Sequence, residues 1–174
     1  MAPPVAICEE TPLQDDVRAL IAELNDAIDA QEPDTPLEFR FQMTADQMAG
    51  PETTTFVARL DGRAVGCAAL RRHSAGLAEV KRMYLRADAR GRGIADELLA
   101  AVEAKARAEG FGRLSLETGL GFHAARKVYE RAGFEVCGPF ADYPDSGYAA
   151  FYTKLLGSDG SAAAISRTPD ESRP

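Results

Sequence analysis

Apolar residues recur along this chain with two different periods, and the points where the period changes outline its elements. Val5 to Cys8 suits a short first strand. Leu13, Val17, Leu20, Ile21, Leu24 and Ile28 then fall on one face at helical spacing. Thr11, Pro12 and Gln14 predict the start of that helix, as N-cap, first helical residue and capping-box partner, and the stripe stops before Pro33. Leu37, Phe39 and Phe41 alternate with Glu38, Arg40 and Gln42, which predicts an extended piece with one apolar face. Thr44-Ala-Asp-Gln47 is a second capping box and opens a short helix through Met48.

From residue 53 the period shortens. Thr53 to Leu60 and Arg63 to Leu70 are strand-like runs joined by Asp61-Gly62, a strong signal for a two-residue hairpin turn. Arg71 to Gly76 is a polar turn, and Leu77 to Arg86 is the next strand. Helical spacing returns at Ile94, Leu98, Leu99, Val102 and Ala106, with Gly110 as the stop. Phe111 to Thr118 alternates again, so the stretch from residue 77 to 118 predicts a right-handed strand–helix–strand crossover with parallel strands. Ala125, Val128 and Ala132 mark a second short helix, stopped by Gly133. Two more strands follow, at about residues 135–140 and 149–156, around the loop Asp142 to Gly147. The expected architecture is α+β: a mixed, mostly antiparallel sheet of about six or seven strands flanked by about four helices. Residues 1–156 form one domain, and the Gly-, Ser- and Pro-rich residues 157–174 predict a disordered tail.

Bulk composition narrows the function. A chain of 174 residues, 45% hydrophobic and 27% charged, suits a globular domain with its own core. A net charge of −7 argues against a nucleic-acid binder, which needs clustered cations to neutralise phosphates. No apolar run approaches the roughly 18 residues of a membrane span, and the N-terminus lacks the pattern of a signal peptide, so the expectation is a cytoplasmic protein with no membrane partner. Cys8, Cys67 and Cys137 are dispersed, and His73 and His123 stand alone, so no metal site is expected. The pattern leaves monomer and homodimer both open.

The chemistry concentrates between the strand ending near Leu85 and the helix beginning near Ile94. Arg90-Gly91-Arg92-Gly93-Ile94-Ala95 is a glycine-rich turn at a helix N-terminus. Unpaired backbone N–H groups and the positive end of the helix dipole converge at such a place, and the two arginines add fixed charge. The reading is a diphosphate cradle, with a tight basic turn ahead of a core helix as the plain alternative. Asp96 and Glu97 suit the dipole but not a bound phosphate, so they are expected to face away. The spacing is neither that of a P-loop nor that of a Rossmann turn.

Arg90-x-x-Gly93-x-Ala95 after an apolar strand resembles the acetyl-CoA-binding motif of the GCN5-related N-acetyltransferase (GNAT) family. Tyr129-Glu-Arg-Ala-Gly133-Phe134 resembles that family's second signature. The resemblance implies an acetyl-CoA-dependent N-acetyltransferase that acts directly, through a ternary complex, on the primary amine of a small molecule, with an amino-acid-like acceptor as one option. It implies that the strands flanking the cradle helix splay apart to admit pantetheine. Met83, Tyr84 and Leu85 would pair with it, and Arg90, Gly91, Arg92, Gly93, Ile94 and Ala95 would hold the diphosphate. Tyr129 would give a proton to the departing thiolate. Glu79, six residues before Leu85 and so expected on the same sheet face, is the candidate base, with pairing to Lys81 or Arg82, or a water chain in place of a base, as its alternatives. The Asn that the family often carries before the Tyr is here Phe122. The first helical region would border the acceptor. Lys81, Arg40 or Arg82 could pair with a substrate carboxylate, with an ordinary surface charge as the alternative for each. A non-catalytic acyl-CoA sensor, a nucleotide-binding module and acetylation of a protein amine stay open beside this reading.

Overall fold

The computed structural model describes residues 4–74 and 76–157. Within them lie seven strands: β1 (Val5–Glu9), β2 (Thr53–Leu60), β3 (Arg63–Ser74), β4 (Leu77–Leu85), β5 (Arg113–Gly119), β6 (Glu135–Cys137) and β7 (Ala149–Leu155). They form one sheet in the order β1-β2-β3-β4-β5-β7-β6. Every neighbouring pair is antiparallel except β4 and β5. Four α-helices accompany the sheet: α1 (Asp15–Gln31), α2 (Ala45–Met48), α3 (Ile94–Ala108) and α4 (His123–Arg131). This is the mixed α+β architecture expected from the pattern. No helix among the described residues is long and apolar enough to cross a membrane. Apart from Gly157, the expected C-terminal tail lies outside the described residues.

Two cores cover the two faces of the sheet. Ile94, Leu98, Leu99, Val102 and Ala106 of α3 pack with Ala68, Leu70, Val80, Leu114 and Leu116, and Tyr129 of α4 joins them. On the other face Val17, Leu20 and Ile21 of α1 and Met48 of α2 pack on Val57, Cys67 and Ala69. Helical and strand periods therefore aim their apolar sets at each other, as the alternation along the chain required.

Local signals are met in some places and overruled in others. The Asp61-Gly62 turn forms with both residues at positive φ (49° and 79°), and β2 and β3 pair across it. The Thr44–Gln47 capping box closes from both sides. The first helix, however, starts at Asp15 rather than at Pro12. Gln14 is its N-cap and makes no side-chain cap, because its amide is bonded to the Glu10 carboxylate at 2.8 Å. Leu37–Phe39 is a 3₁₀ turn, not an extended piece. The Phe39 N–H reaches the Pro36 carbonyl at 2.9 Å, and the Arg40 guanidinium ties the bend by donating to the carbonyls of Glu32, Pro33 and Thr35. β3 runs on through Ser74, because Arg71 and Arg72 pair across the ladder with Glu79 and Ala78.

Two irregularities open the sheet. β4 and β5 pair only from Leu77–Arg113 to Val80–Leu116, after which they no longer pair with each other. In the same place β4 carries a bulge. Lys81 pairs with Ala69 and Tyr84 with Cys67, so Arg82 and Met83 both stand opposite Ala68. Arg82 has φ 54°, unusual for a bulky residue. The extra residue reverses the alternation. Ala78 and Val80 before it share a face with Met83 and Leu85 after it, whereas Tyr84 packs on the opposite core. Glu79 and Leu85 therefore lie on opposite faces, contrary to the expectation from simple alternation.

Candidate active site

The turn ahead of α3 has the geometry of an anion cradle. Gly91 and Gly93 have φ 73° and 78°, a region that costs a residue with Cβ roughly 1–2 kcal/mol. Gly93 is the N-cap and offers no side chain, so the first-turn N–H groups of a 15-residue helix are left for another acceptor. Arg90 Nε donates to the Leu85 carbonyl at 3.3 Å and pins the turn to the end of β4.

A cavity of about 510 Å³ runs from this turn along the end of β4 to α4, and a smaller cavity lies between β4 and β5. Met83, Tyr84, Leu85, Arg90, Gly91, Gly93, Ile94 and Ala95 all line the larger one; Arg92 alone of the expected contacts does not. Asp96 also lines it, contrary to the expectation that it faces away. Its charge is met by Arg131 of α4 at 2.8 Å, which removes the conflict with a bound anion. α1 and α4 supply the remaining walls.

Tyr129 stands where this cavity meets a second one of about 120 Å³. Met83, Phe122 and Ala125 share that boundary with it. Phe122 thus puts an apolar surface where the resembled pattern often carries an amide. Tyr129 is only 6% exposed, and its hydroxyl has no hydrogen-bond partner among the described residues. Burial pushes its phenol well above the usual range, and the negative charge of Glu117 adds to the effect. It is a protonated donor with nothing to donate to.

Glu117, at the end of β5, lines the small cavity and has no hydrogen-bond partner among the described residues. Burial pushes its carboxyl up to about 7; Lys81 opposes the shift, and Glu79 and Glu32 assist it. A carboxylate that titrates near neutrality and an unpartnered phenol thus line one cavity, their proton affinities set apart by environment. The sequence reading overlooked Glu117. The available signal was its place at the carboxyl end of a strand parallel to its neighbour, where ligands of α/β sheets gather.

Glu79, the expected base, holds a different position. It is 1% exposed and lines none of these cavities. His73 Nε2 lies 2.5 Å from Oε2, Tyr143 Oη donates to Oε1 at 2.5 Å, and Lys81 Nζ is 3.5 Å away. Burial alone would raise its carboxyl. The His73 hydrogen bond, the Lys81 charge and the Tyr143 hydrogen bond outweigh burial and hold it below the usual range. A saturated, ionised carboxylate is a poor proton acceptor, so Glu79 is a buried strut. It fastens the 138–148 connection to β4 through Tyr143, which also packs against Phe41 and Phe140. A third cavity of about 410 Å³ lies beyond Tyr143 and shares Phe41, Gln42 and Lys81 with the small one.

An open β4–β5 gap, a glycine turn at a helix N-terminus and a tyrosine between two cavities define an acyl-transferase type of site, and the comparisons agree. The model of the acetyltransferase (GNAT) family matches residues 17–134, and the chain belongs to that family. It is 38% identical over 156 residues to the "IAA acetyltransferase" of Azospirillum brasilense, covering 88% of this chain and 99% of the relative. It is 33% identical over 141 residues to the "Uncharacterized N-acetyltransferase YsnE" of Bacillus subtilis (strain 168), covering 80% of this chain and 93% of that one. Among solved structures it is similar to a candidate acyl-CoA N-acyltransferase from Klebsiella pneumoniae subsp. pneumoniae MGH 78578, with TM-score 0.73, 31% identity and coverage of 88% and 98%. It shares the fold of the PaiA N-acetyltransferase from Thermoplasma acidophilum, solved with coenzyme A, at TM-score 0.69 and 16% identity over 88% of this chain and 99% of that one.

Proposed function

We propose that this acetyltransferase moves the acetyl group of acetyl-CoA to the primary amine of a small molecule, with both substrates bound at once. The observation that carries the reading is Tyr129 at the boundary of two cavities, one ending on the glycine cradle and the other holding Glu117. Acetyl-CoA supplies an acetyl group activated as a thioester. Gly91, Gly93 and the first turn of α3 hold its diphosphate by backbone N–H groups, with Arg90 beside them. The β4 edge from Met83 to Leu85 has no strand partner on the β5 side and offers backbone groups to the pantetheine arm. Charge growing on the acetyl oxygen is met by backbone N–H groups at the bulge.

Proton flow follows from the two titrating groups. As the amine nitrogen bonds to the acetyl carbon and the carbon–sulfur bond breaks, Glu117 takes the proton the amine releases. Tyr129 gives its proton to the departing sulfur. The steps assist each other, because protonation of Glu117 removes one of the charges that keep Tyr129 from ionising. Solvent exchange then restores both groups.

A recessed acceptor cavity of about 120 Å³ favours a small molecule over a protein lysine. The name of the Azospirillum relative, which pairs acetyl transfer with a compound, IAA, points the same way. A cytoplasmic setting goes with this reading, since acetyl-CoA must be at hand. The test is release of free thiol from acetyl-CoA across an amine panel, with the 90–95 amides followed by NMR during a coenzyme A titration. Thiol release together with shifted amides is expected. Coenzyme binding without release for any amine would leave a sensor, and unmoved amides would remove the cradle.

A further inference from the structure

The small cavity is lined by three cations, Arg40, Lys81 and Arg82, and two carboxylates, Glu32 and Glu117. Most are already matched. Arg40 is bonded to Asp29 at 2.8 Å and to three backbone carbonyls. Lys81 has Glu79 and Tyr143. Glu32 accepts from the Gly121 N–H at 3.4 Å.

Arg82 and Glu117 are the exceptions. Arg82 is 7% exposed, yet no carboxylate lies within salt-bridge distance of it among the described residues. One terminal nitrogen, Nη2, donates to the Ile21 carbonyl and to Asn25 Oδ1; Nε is buried with no partner at all. Burying a guanidinium without a counter-ion is costly, and its fork is built to take a carboxylate with two parallel bonds. Burial lowers its proton affinity to about 10, as expected of an uncompensated cation. The bulge that places it there keeps a bulky residue in the left-handed region, a strain that tends to survive where a site uses it. The cavity therefore holds one unmatched cation and one unmatched carboxylate. Leu24, Ile28, Phe39, Phe41 and Phe122 are among the apolar residues of its remaining wall.

We propose that the acceptor is a free α-amino acid with an apolar or aromatic side chain, its carboxylate held by Arg82 and its amine by Glu117. The proposal rests on the acetyl-transfer reading and specifies its acceptor. A zwitterion supplies the opposite charge at each end. The small volume requires the two groups to be close together, and the aromatic wall takes the side chain. Arg82 is thereby a specificity residue: it selects for the carboxylate and takes no part in proton transfer.

The experiment uses the full-length protein saturated with coenzyme A, titrated calorimetrically with L-phenylalanine, with phenethylamine, which lacks the carboxylate, and with 3-phenylpropanoate, which lacks the amine. L-Phenylalanine is expected to bind at least about tenfold more tightly than either, the equivalent of one charge-assisted contact. Arg82→Gln should abolish that advantage and leave phenethylamine binding unchanged. Equal binding of the amino acid and the amine by the unaltered protein, or no binding of the amino acid, overturns the proposal. That comparison needs no variant, so a misfolded Arg82→Gln does not rescue it. The two readings fail separately: thiol release with amines that lack a carboxylate keeps acetyl transfer while the amino-acid acceptor falls.

Discussion

Tyr129 and Glu117 border the same cavity, come from α4 and β5, and neither takes a hydrogen bond from the rest of the described protein. The charge on Glu117 helps to keep the phenol protonated. In the proposed mechanism one of the pair accepts a proton near neutral pH and the other donates one.

Tyr129→Phe keeps the ring that packs against Phe134 and Tyr152 and removes only the hydroxyl. Single-turnover thiol release should slow by about 10²-fold or more, in the range of a lost general acid. Coenzyme A affinity, measured by calorimetry, should stay within about twofold. An unaltered chemical rate would retire the donor role.

As the proposed base, Glu117 should set the pH dependence. The rate should rise with pH through about 7 as its carboxyl loses a proton, and Glu117→Gln should remove that limb along with about 10²-fold of the rate. The same shift has a sign in stability. Folding raises this carboxyl from 4.5 to about 7, so the folded state binds more protons across that window and loses stability as pH rises through it. Glu117→Gln should therefore be more stable than the parent at pH 8, by up to about 3 kcal/mol, and the two should converge near pH 4.5. Thermal melts at the two pH values measure this.

Glu79 should answer differently. Glu79→Ala strands a buried Lys81 and frees Tyr143, a loss of about 3 kcal/mol or roughly 5–10 °C in Tm. The pH limb near 7 should persist in the folded fraction. Because folding lowers this carboxyl, its contribution is complete above pH 4.5 and fades as pH falls through the depressed value. Loss of the limb in Glu79→Gln with an unchanged Tm would return the base role to Glu79.

Gly93→Ala tests the cradle. A Cβ there meets no protein atom within 4 Å, so the penalty is the positive φ and the closeness of a ligand rather than crowding. Thermal stability should fall by about 1 kcal/mol. The Kd for coenzyme A should rise by about tenfold or more, a surplus beyond what backbone strain alone explains. An unchanged Kd would show that the diphosphate does not sit on this turn.

Much of the frame was legible because its signals are local. The Asp61-Gly62 turn, the Thr44 capping box and the α3 stripe each act within a few residues, and each formed as the pattern required. The misjudged places are those where distant chain intervenes. Glu10 took the Gln14 side chain that the first capping box needed, and Arg40 wrapped the Phe39 segment into a turn. Of the candidate site, two motifs pointed to the glycine turn and to Tyr129, which border one cavity, although Arg92 does not line it. No motif pointed to Glu117 or the unmatched Arg82, since an unpaired charge is visible only once every neighbour is known.

The chain by itself determined the two periods, the turns, the glycines at Gly91 and Gly93, and hence a strand–cradle–helix unit with a tyrosine helix after it. Periodicity and φ preference are written residue by residue, so they survive any rearrangement of the remainder. Tertiary structure decided where β4 and β5 part and which way Arg82 turns. It also decided which of two glutamates is left free to titrate. Those outcomes depend on strand register and on burial, which arise only when segments far apart in sequence compete for the same partners and the same water-free space.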